Sequence, residues 1–232
     1  MAEYLISGNK SGLGKYLNDN LPDSLGFGRN ELNLVKREDF NTIIHCAFNK
    51  EQYQIQDYYK YLQDNIFLTQ DLLNLSHHKF VYISTVDVYQ DNPNYYGLFK
   101  RFAESIVEKN PNALILRCSM MLGPDMKPNH VTKLKDNVDK LGLSSDSTFN
   151  YILMSDILEF FSSGDYLEYS GVVDFISNEV IKLSQVKSYF NSTTELGNYT
   201  YESYNLYSMF PIYTLNKKYN KSSLKNLKTY YE

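Results

Sequence analysis

The 232-residue chain has only two cysteines, Cys46 and Cys118, and four scattered histidines, His45, His77, His78 and His130. Neither cysteine has a metal-ligand spacing. Both fall in apolar runs that read as buried strands, so they are expected to be reduced core thiols of a cytoplasmic protein. The histidines form no ligand pattern, and no metal is expected. The chain lacks a run of 18 apolar residues, and its start, "MAEYLISGNK", lacks a charged region followed by a long apolar one. Neither membrane insertion nor a secretion signal is expected. A strong basic block is also missing and the formal net charge is −4, so nucleic acid is not an expected partner. The sequons at Asn191 and Asn198 read as chance in an Asn-rich chain without a signal.

What is present is ordinary for a soluble globular protein: 43% hydrophobic and 22% charged residues. The length suits one large domain, or one domain with a small appendage. "EYLISG" (3–8), "DSLGFGR" (23–29), "TIIHCAF" (42–48), "KFVYIST" (79–85) and "ALILRCSM" (113–120) read as strands, the later ones apolar on both faces. Helical spacing covers 11–21, about 51–75, and Tyr96 to Lys109. This alternation predicts an α/β fold, a doubly wound, Rossmann-like parallel sheet with helices on both faces. Residues 125–150 are polar with one helix, "HVTKLKDNVDKL". "YILMSDILEFF" (151–161) and "GVVDFIS" (171–177) return to core character, and from about 184 the chain is rich in Asn, Ser, Tyr and Lys. We expect 1–124 and 151–177 to form the dinucleotide-binding domain, and 125–150 and 178–232 a small substrate-binding portion.

The first strand runs into "GNKSGLG". A strand, a glycine turn and a helix can hold a pyrophosphate, because glycines let the backbone approach and the helix N-terminus offers free N–H groups. Gly8, Asn9, Lys10, Ser11, Gly12, Leu13 and Gly14 are therefore candidate cofactor contacts, with Ser11 either capping the helix or donating to a phosphate. At the end of the second strand Gly28 falls where an acid would hold the ribose of NAD, and Arg29 follows. Arginine suits a 2′-phosphate, so NADP(H) is expected over NAD(H), with Lys10 adding to the field. The alternative for Arg29 is a solvated surface residue.

Tyr96 precedes Lys100 by four residues. With 22 Tyr and 19 Lys, about two such pairs are expected by chance, and two occur: Tyr96/Lys100 and Tyr213/Lys217. The spacing carries no information, but the context does. Residues four apart share one helix face, and Tyr96 falls near a helix start, after Pro93. Ser84 and Thr85 close a buried strand, at the end of the sheet where ligands bind. Tyr213/Lys217 has no such neighbours and reads as ordinary packing.

With these residues in place the chain resembles the extended short-chain dehydrogenases/reductases that act on nucleotide sugars. The resemblance covers roughly 3–177 through "GNKSGLG", "IIHCAF", "DNIFLTQDLL", "ISTVDVY", "YGLFKRFAE", "LRCSMMLGP" and "YILMSDIL", the last carrying Asp156. It implies Tyr96 as general acid/base, Lys100 lowering its pKa and holding the nicotinamide ribose, Thr85 (or Ser84) binding the reacting oxygen, and Asn65 supporting a water beside Lys100. Ala47 and Phe48 would border the cofactor. Asp87, Ser119, Met120, Lys127 and Asn129, with Lys133, are the candidate substrate contacts; for the polar helix face, plain solvation is the alternative. "GRNELNLVKREDF" resembles the early segment of dTDP-4-dehydrorhamnose reductases. The implied activity is NADPH-dependent reduction of a 4-keto nucleotide sugar, with a C4 epimerase next and a non-catalytic cofactor-binding regulator third. The resemblance also implies a possible homodimer through the helices at about 51–75 and 96–109.

Overall fold

The computed structural model describes residues 3–28, 31–35, 39–49, 58–90, 93–203, 218–219 and 221–232. Six strands form one parallel sheet: β1 (Tyr4–Ser7), β2 (Ser24–Phe27), β3 (Phe40–His45), β4 (His77–Thr85), β5 (Leu114–Cys118) and β10 (Gly171–Phe175). Their order across the sheet is β2-β1-β3-β4-β5-β10. The direction of winding reverses between β1 and β3, and a doubly wound sheet opens its ligand crevice at that point, outside the carboxyl ends of the strands.

Successive residues of a strand point to opposite faces, and here both faces are covered. Ile6, Ile44, Ile83 and Leu116 pack with Leu13 and Leu17 of α1 (Gly12–Asn20) and with Ile157, Phe160 and Phe161 of α7 (Met154–Ser162). Leu5, Ile43, Phe80, Tyr82 and Ile115 pack on the other face with Leu72 of α4 (Leu68–Leu73) and with Ala103 and Val107 of α5 (Tyr95–Val107). This two-sided burial is why the strands read as unbroken apolar runs. A third cluster joins Leu122 of β6 (Met120–Leu122), Tyr151 of β9 (Tyr151–Leu153), Val131 and Leu134 of α6 (His130–Lys135), Val186 of α8 (Leu183–Tyr189) and Leu227 of α9 (Ser223–Tyr231).

Several boundaries differ from the sequence reading. Strand β3 ends at His45, so Cys46 sits in the loop past the strand, half-buried, while Cys118 closes β5 and is buried. The helix expected over 130–141 stops at Lys135, where Asn137 takes φ +52° and the chain turns into strand β7 (Lys140–Leu143). The long helix expected from 51 is described from Tyr58, as α3 (Tyr58–Leu62), a π turn (Gln63–Phe67) and α4; residues 51–57 lie outside the described residues.

One charged group sits inside the sheet-helix interface. Glu104 of α5 is buried and accepts two hydrogen bonds from Arg117 of β5, at 3.0 and 2.7 Å, and one from the Ser84 hydroxyl at 2.5 Å. The Arg117 guanidinium lies 4.6 Å over the Tyr89 ring, and Tyr89 donates to Asp174 of β10. Removing one partner of a buried, hydrogen-bonded pair leaves the other charge uncompensated. Glu104→Ala is therefore expected to lower unfolding free energy by about 3 kcal/mol in urea titration; a loss below ~1 kcal/mol, the range of an exposed ion pair, would contradict this.

Candidate functional site

One cleft of about 790 Å³ opens at the carboxyl ends of the parallel strands. The glycine turn forms one wall. Gly8 has φ +77° and a Cβ there would meet the Ala47 backbone at 2.9 Å; a Cβ on Gly14 would come within 2.5 Å of the Gly8 carbonyl. Backbone of α1 thus lies directly on the end of β1, which only glycine permits. Gly12, at φ +56°, has nothing within 4 Å of its Cβ direction and faces open space. Ser11 is the N-cap of α1, but its hydroxyl makes no capping bond. Gly8, Lys10, Ser11, Gly12, Leu13 and Gly14 all border the cleft. Asn9 does not: it is turned toward β2, where its amide nitrogen would lie 2.6 Å from a Cβ on Gly26.

Tyr96 is the second residue of α5, whose N-cap Asn94 accepts from the Gly97 N–H at 3.0 Å. A Cβ on Gly97 would sit 2.9 Å from the Asp87 carbonyl, so the helix start is pressed against the turn after β4. There the Tyr96 hydroxyl stands beside that of Thr85, which can donate to it. Burial, and then the nearby Asp87 carboxylate, push the Tyr96 phenol well above its usual range, and the Thr85 bond partly offsets this. One helical turn on, Lys100 is buried; its ammonium donates to the Ile83 carbonyl at 2.6 Å and stands 4.5 Å from the ring centroids of both Phe48 and Tyr82. Phe48 also packs edge-on against Tyr96, centroids 5.1 Å apart. Ala47, Phe48, Thr85, Tyr96 and Lys100 border the same cleft as the glycine turn.

Ser84 and Asn65 do different work from that expected of them. Adjacent strand residues face opposite ways, and the Ser84 hydroxyl is taken by Glu104 while that of Thr85 meets Tyr96. The Asn65 amide is spent on the loop after β3, accepting from the Asn49 N–H at 2.7 Å and donating to the Asn49 carbonyl at 3.2 Å. Asp87, Ser119, Met120, Lys127 and Asn129 border the cleft. Among them the Ser119 hydroxyl is buried without a hydrogen-bond partner, whereas Asn129 is committed to α6 as its cap, accepting from Val131 and Thr132. Lys133 is exposed and not at the cleft. Asp156 is buried in an ion pair with Lys221, 2.7 Å, away from the cleft. Arg29, Tyr213 and Lys217 lie outside the described residues.

Three contributions were not anticipated. Glu31 caps the end of β2: it accepts from the Gly28 N–H at 2.6 Å and pairs with Lys10 at 3.6 Å. Tyr201, from the C-terminal part, reaches the Asp87 carboxylate at 3.2 Å. Beneath the cleft, the Thr69 hydroxyl donates to the Asn65 carbonyl, so it accepts from His45 Nε2 (2.9 Å), and His45 Nδ1 accepts from Ser7 (2.6 Å). These bonds assign the neutral imidazole with its proton on Nε2. Burial, and then the Lys100 charge, hold its pKa down at about 3. Among the described residues no group of three or more His, Cys, Asp or Glu is placed to hold a metal.

The architecture is that of the extended short-chain dehydrogenases/reductases. Three of the solved structures that are similar to the chain illustrate the likeness. dTDP-4-dehydrorhamnose reductase from Bacillus anthracis, in complex with NADP, superposes with a TM-score of 0.73 at 19% identity, covering 100% of this chain and 98% of that one. A UDP-galactose 4-epimerase gives 0.69 at 14%, covering 98% and 96%. UDP-glucuronic acid 4-epimerase from Bacillus cereus, in complex with UDP-glucuronic acid and NAD, gives 0.69 at 16%, covering 98% and 97%. No protein-family model matches the chain, and no curated protein matches it in sequence.

The buried histidines set a pH response. His130 is also held at about 3 by burial, stacked on Phe149 and bonded to Tyr151. For both, the unfolded chain binds protons more readily, so stability is full above about pH 6.5 and is lost as pH falls toward 3. Each costs about 2 kcal/mol by pH 5. Asp174, raised to about 6 by burial, works in the opposite sense and returns roughly 1 kcal/mol. The urea midpoint is expected to fall between pH 7 and pH 5; a rising midpoint would contradict the assignment.

Proposed function

We propose that the protein is a nicotinamide-dinucleotide-dependent oxidoreductase of nucleotide-activated sugars, and that its reaction is the NADPH-dependent reduction of a 4-keto sugar. The observation that carries this is the Tyr96–Thr85 hydroxyl pair beside the buried Lys100 ammonium, in one cleft with a glycine turn that has no room for side chains at Gly8 and Gly14. The same turn has open space at Gly12, which suits a pyrophosphate laid on the α1 N-terminus.

When bound, the dinucleotide supplies the hydride. The chain's own residues handle the proton. Thr85 hydrogen-bonds the carbonyl oxygen and fixes it beside Tyr96. Tyr96 donates its proton to that oxygen as negative charge develops there. Its raised pKa keeps it in the acid form that this direction requires. Lys100 then stabilises the phenolate left behind. Asp87, the Ser119 hydroxyl and Met120 border the sugar, and Lys127 the diphosphate, while Asn129 holds the α6 end that shapes this wall. Like the reductase reading itself, the homodimer is a proposal: Tyr59, Phe67 and Phe102 expose aromatic surface on α3, α5 and the π turn, which suits a helical interface. A cytoplasmic location belongs to the same proposal; among the described residues no helix is long and apolar enough to cross a membrane.

A second reading, an NAD-dependent C4 epimerase, is favoured by Glu31. A carboxylate at the end of β2 accepts from ribose hydroxyls and opposes a 2′-phosphate. Arg29, the basis for NADP(H), argues the other way.

One measurement tests the site and a second divides the readings. Tyr96→Phe is expected to lower kcat by at least about 100-fold with dinucleotide affinity kept. Tyr95→Phe, an exposed ring, should stay within about twofold. Retained turnover in Tyr96→Phe would overturn the assignment. In fluorescence titration NADPH is expected to bind more tightly than NADH, with the preference lost in Arg29→Ala. Tighter NADH, weakened in Glu31→Gln, would favour the epimerase.

A further inference from the structure

Asp87 is held in the cleft from two directions. It lies two residues past Thr85, on the 3₁₀ turn Val86–Tyr89, and its N–H donates to Thr85 Oγ1 at 3.2 Å. From the C-terminal part, the Tyr201 hydroxyl donates to Oδ1 at 3.2 Å. Tyr201 is itself fixed by stacking on Phe149, centroids 5.1 Å and planes 15° apart, and Phe149 stacks on His130 at 3.6 Å. The carboxylate is therefore placed by both the catalytic strand and the C-terminal part, and its field reaches the Tyr96 hydroxyl.

We propose that Asp87 determines substrate specificity: it admits sugars whose group beside the reacting carbon is neutral, a hydroxymethyl or methyl, and rejects uronic acids. The inference rests on the function proposed above. Asp87 borders the same cleft as Thr85 and Tyr96 and stands two residues past Thr85, so with the reacting C4 oxygen between Thr85 and Tyr96 and C5 turned to this wall, the C5 substituent faces the carboxylate. A carboxylate only accepts hydrogen bonds. A sugar hydroxyl can donate to it, and a methyl group is indifferent to it. A second carboxylate can do neither and adds like-charge repulsion in a partly desolvated cleft.

The test compares UDP-glucose with UDP-glucuronic acid, which differ only at C6, in calorimetric titrations of the full chain saturated with oxidised dinucleotide. UDP-glucuronic acid is expected to bind at least about tenfold more weakly than UDP-glucose. Asp87→Asn should close most of that gap, chiefly by tightening UDP-glucuronic acid. Equal or tighter binding of UDP-glucuronic acid by the wild-type chain overturns the inference, whatever the variant does. So does an unchanged gap in an Asp87→Asn variant that still melts cooperatively. Should the dinucleotide bind and neither UDP-sugar nor dTDP-glucose bind, the nucleotide-sugar reading fails and takes this inference with it. Only the wild-type preference for the neutral sugar, closed by the substitution, supports it.

Discussion

A lysine ammonium buried at the carboxyl end of β4 is the group around which the cleft is arranged. Moving an ammonium out of water costs several kcal/mol even after relaxation, and Lys100 recovers this locally. The Ile83 carbonyl accepts from it, and the Phe48 and Tyr82 rings face it at 4.5 Å, each contact on the order of 2 kcal/mol when desolvated. The arrangement has consequences on every side. His45 must stay neutral, so it is wired as an acceptor from Ser7 and a donor to Thr69. The Cys46 thiol is pushed up to about 12 by burial, against the opposing pull of Lys100, and is thus an inert thiol.

The positions of Thr85, Tyr96 and Lys100 depend on backbone contacts that tolerate little change. Gly97 lets the start of α5 touch the turn after β4, and Gly14 lets α1 touch the end of β1. The Glu104–Arg117 pair then fixes α5 to β5 from inside, and the Tyr89–Asp174 contact ties the turn carrying Asp87 to β10. Rigid elements, not loops, thereby hold Thr85, Tyr96 and Lys100, as the proton transfer proposed for them requires.

The sheet was legible because burial on both faces leaves an uninterrupted apolar run, and the glycine turn because its spacing encodes close backbone approach. Context, not spacing, favours Tyr96 over Tyr213, which lies outside the described residues. The choice of Thr85 over Ser84 was in principle readable from strand parity: Phe80 and Tyr82 share a face with Ser84, and Ser84 meets Glu104 there. Glu31 and Tyr201 were not legible, since one depends on how a turn folds back on Gly28 and the other on a residue 114 positions from its partner. The early end of α6 hinged on a left-handed Asn137, which helical periodicity does not reveal.

The claim on which the rest stands is that Thr85, Tyr96 and Lys100 serve hydride transfer to a sugar carbonyl. Incubation of the protein with reduced dinucleotide deuterated at the nicotinamide C4 and with a 4-keto nucleotide sugar tests it directly by mass spectrometry. One deuterium in the sugar product, matched by an equal loss of reduced dinucleotide, is the expected result. Unlabelled sugar together with unconsumed reduced dinucleotide, at concentrations where both ligands are bound, would contradict it.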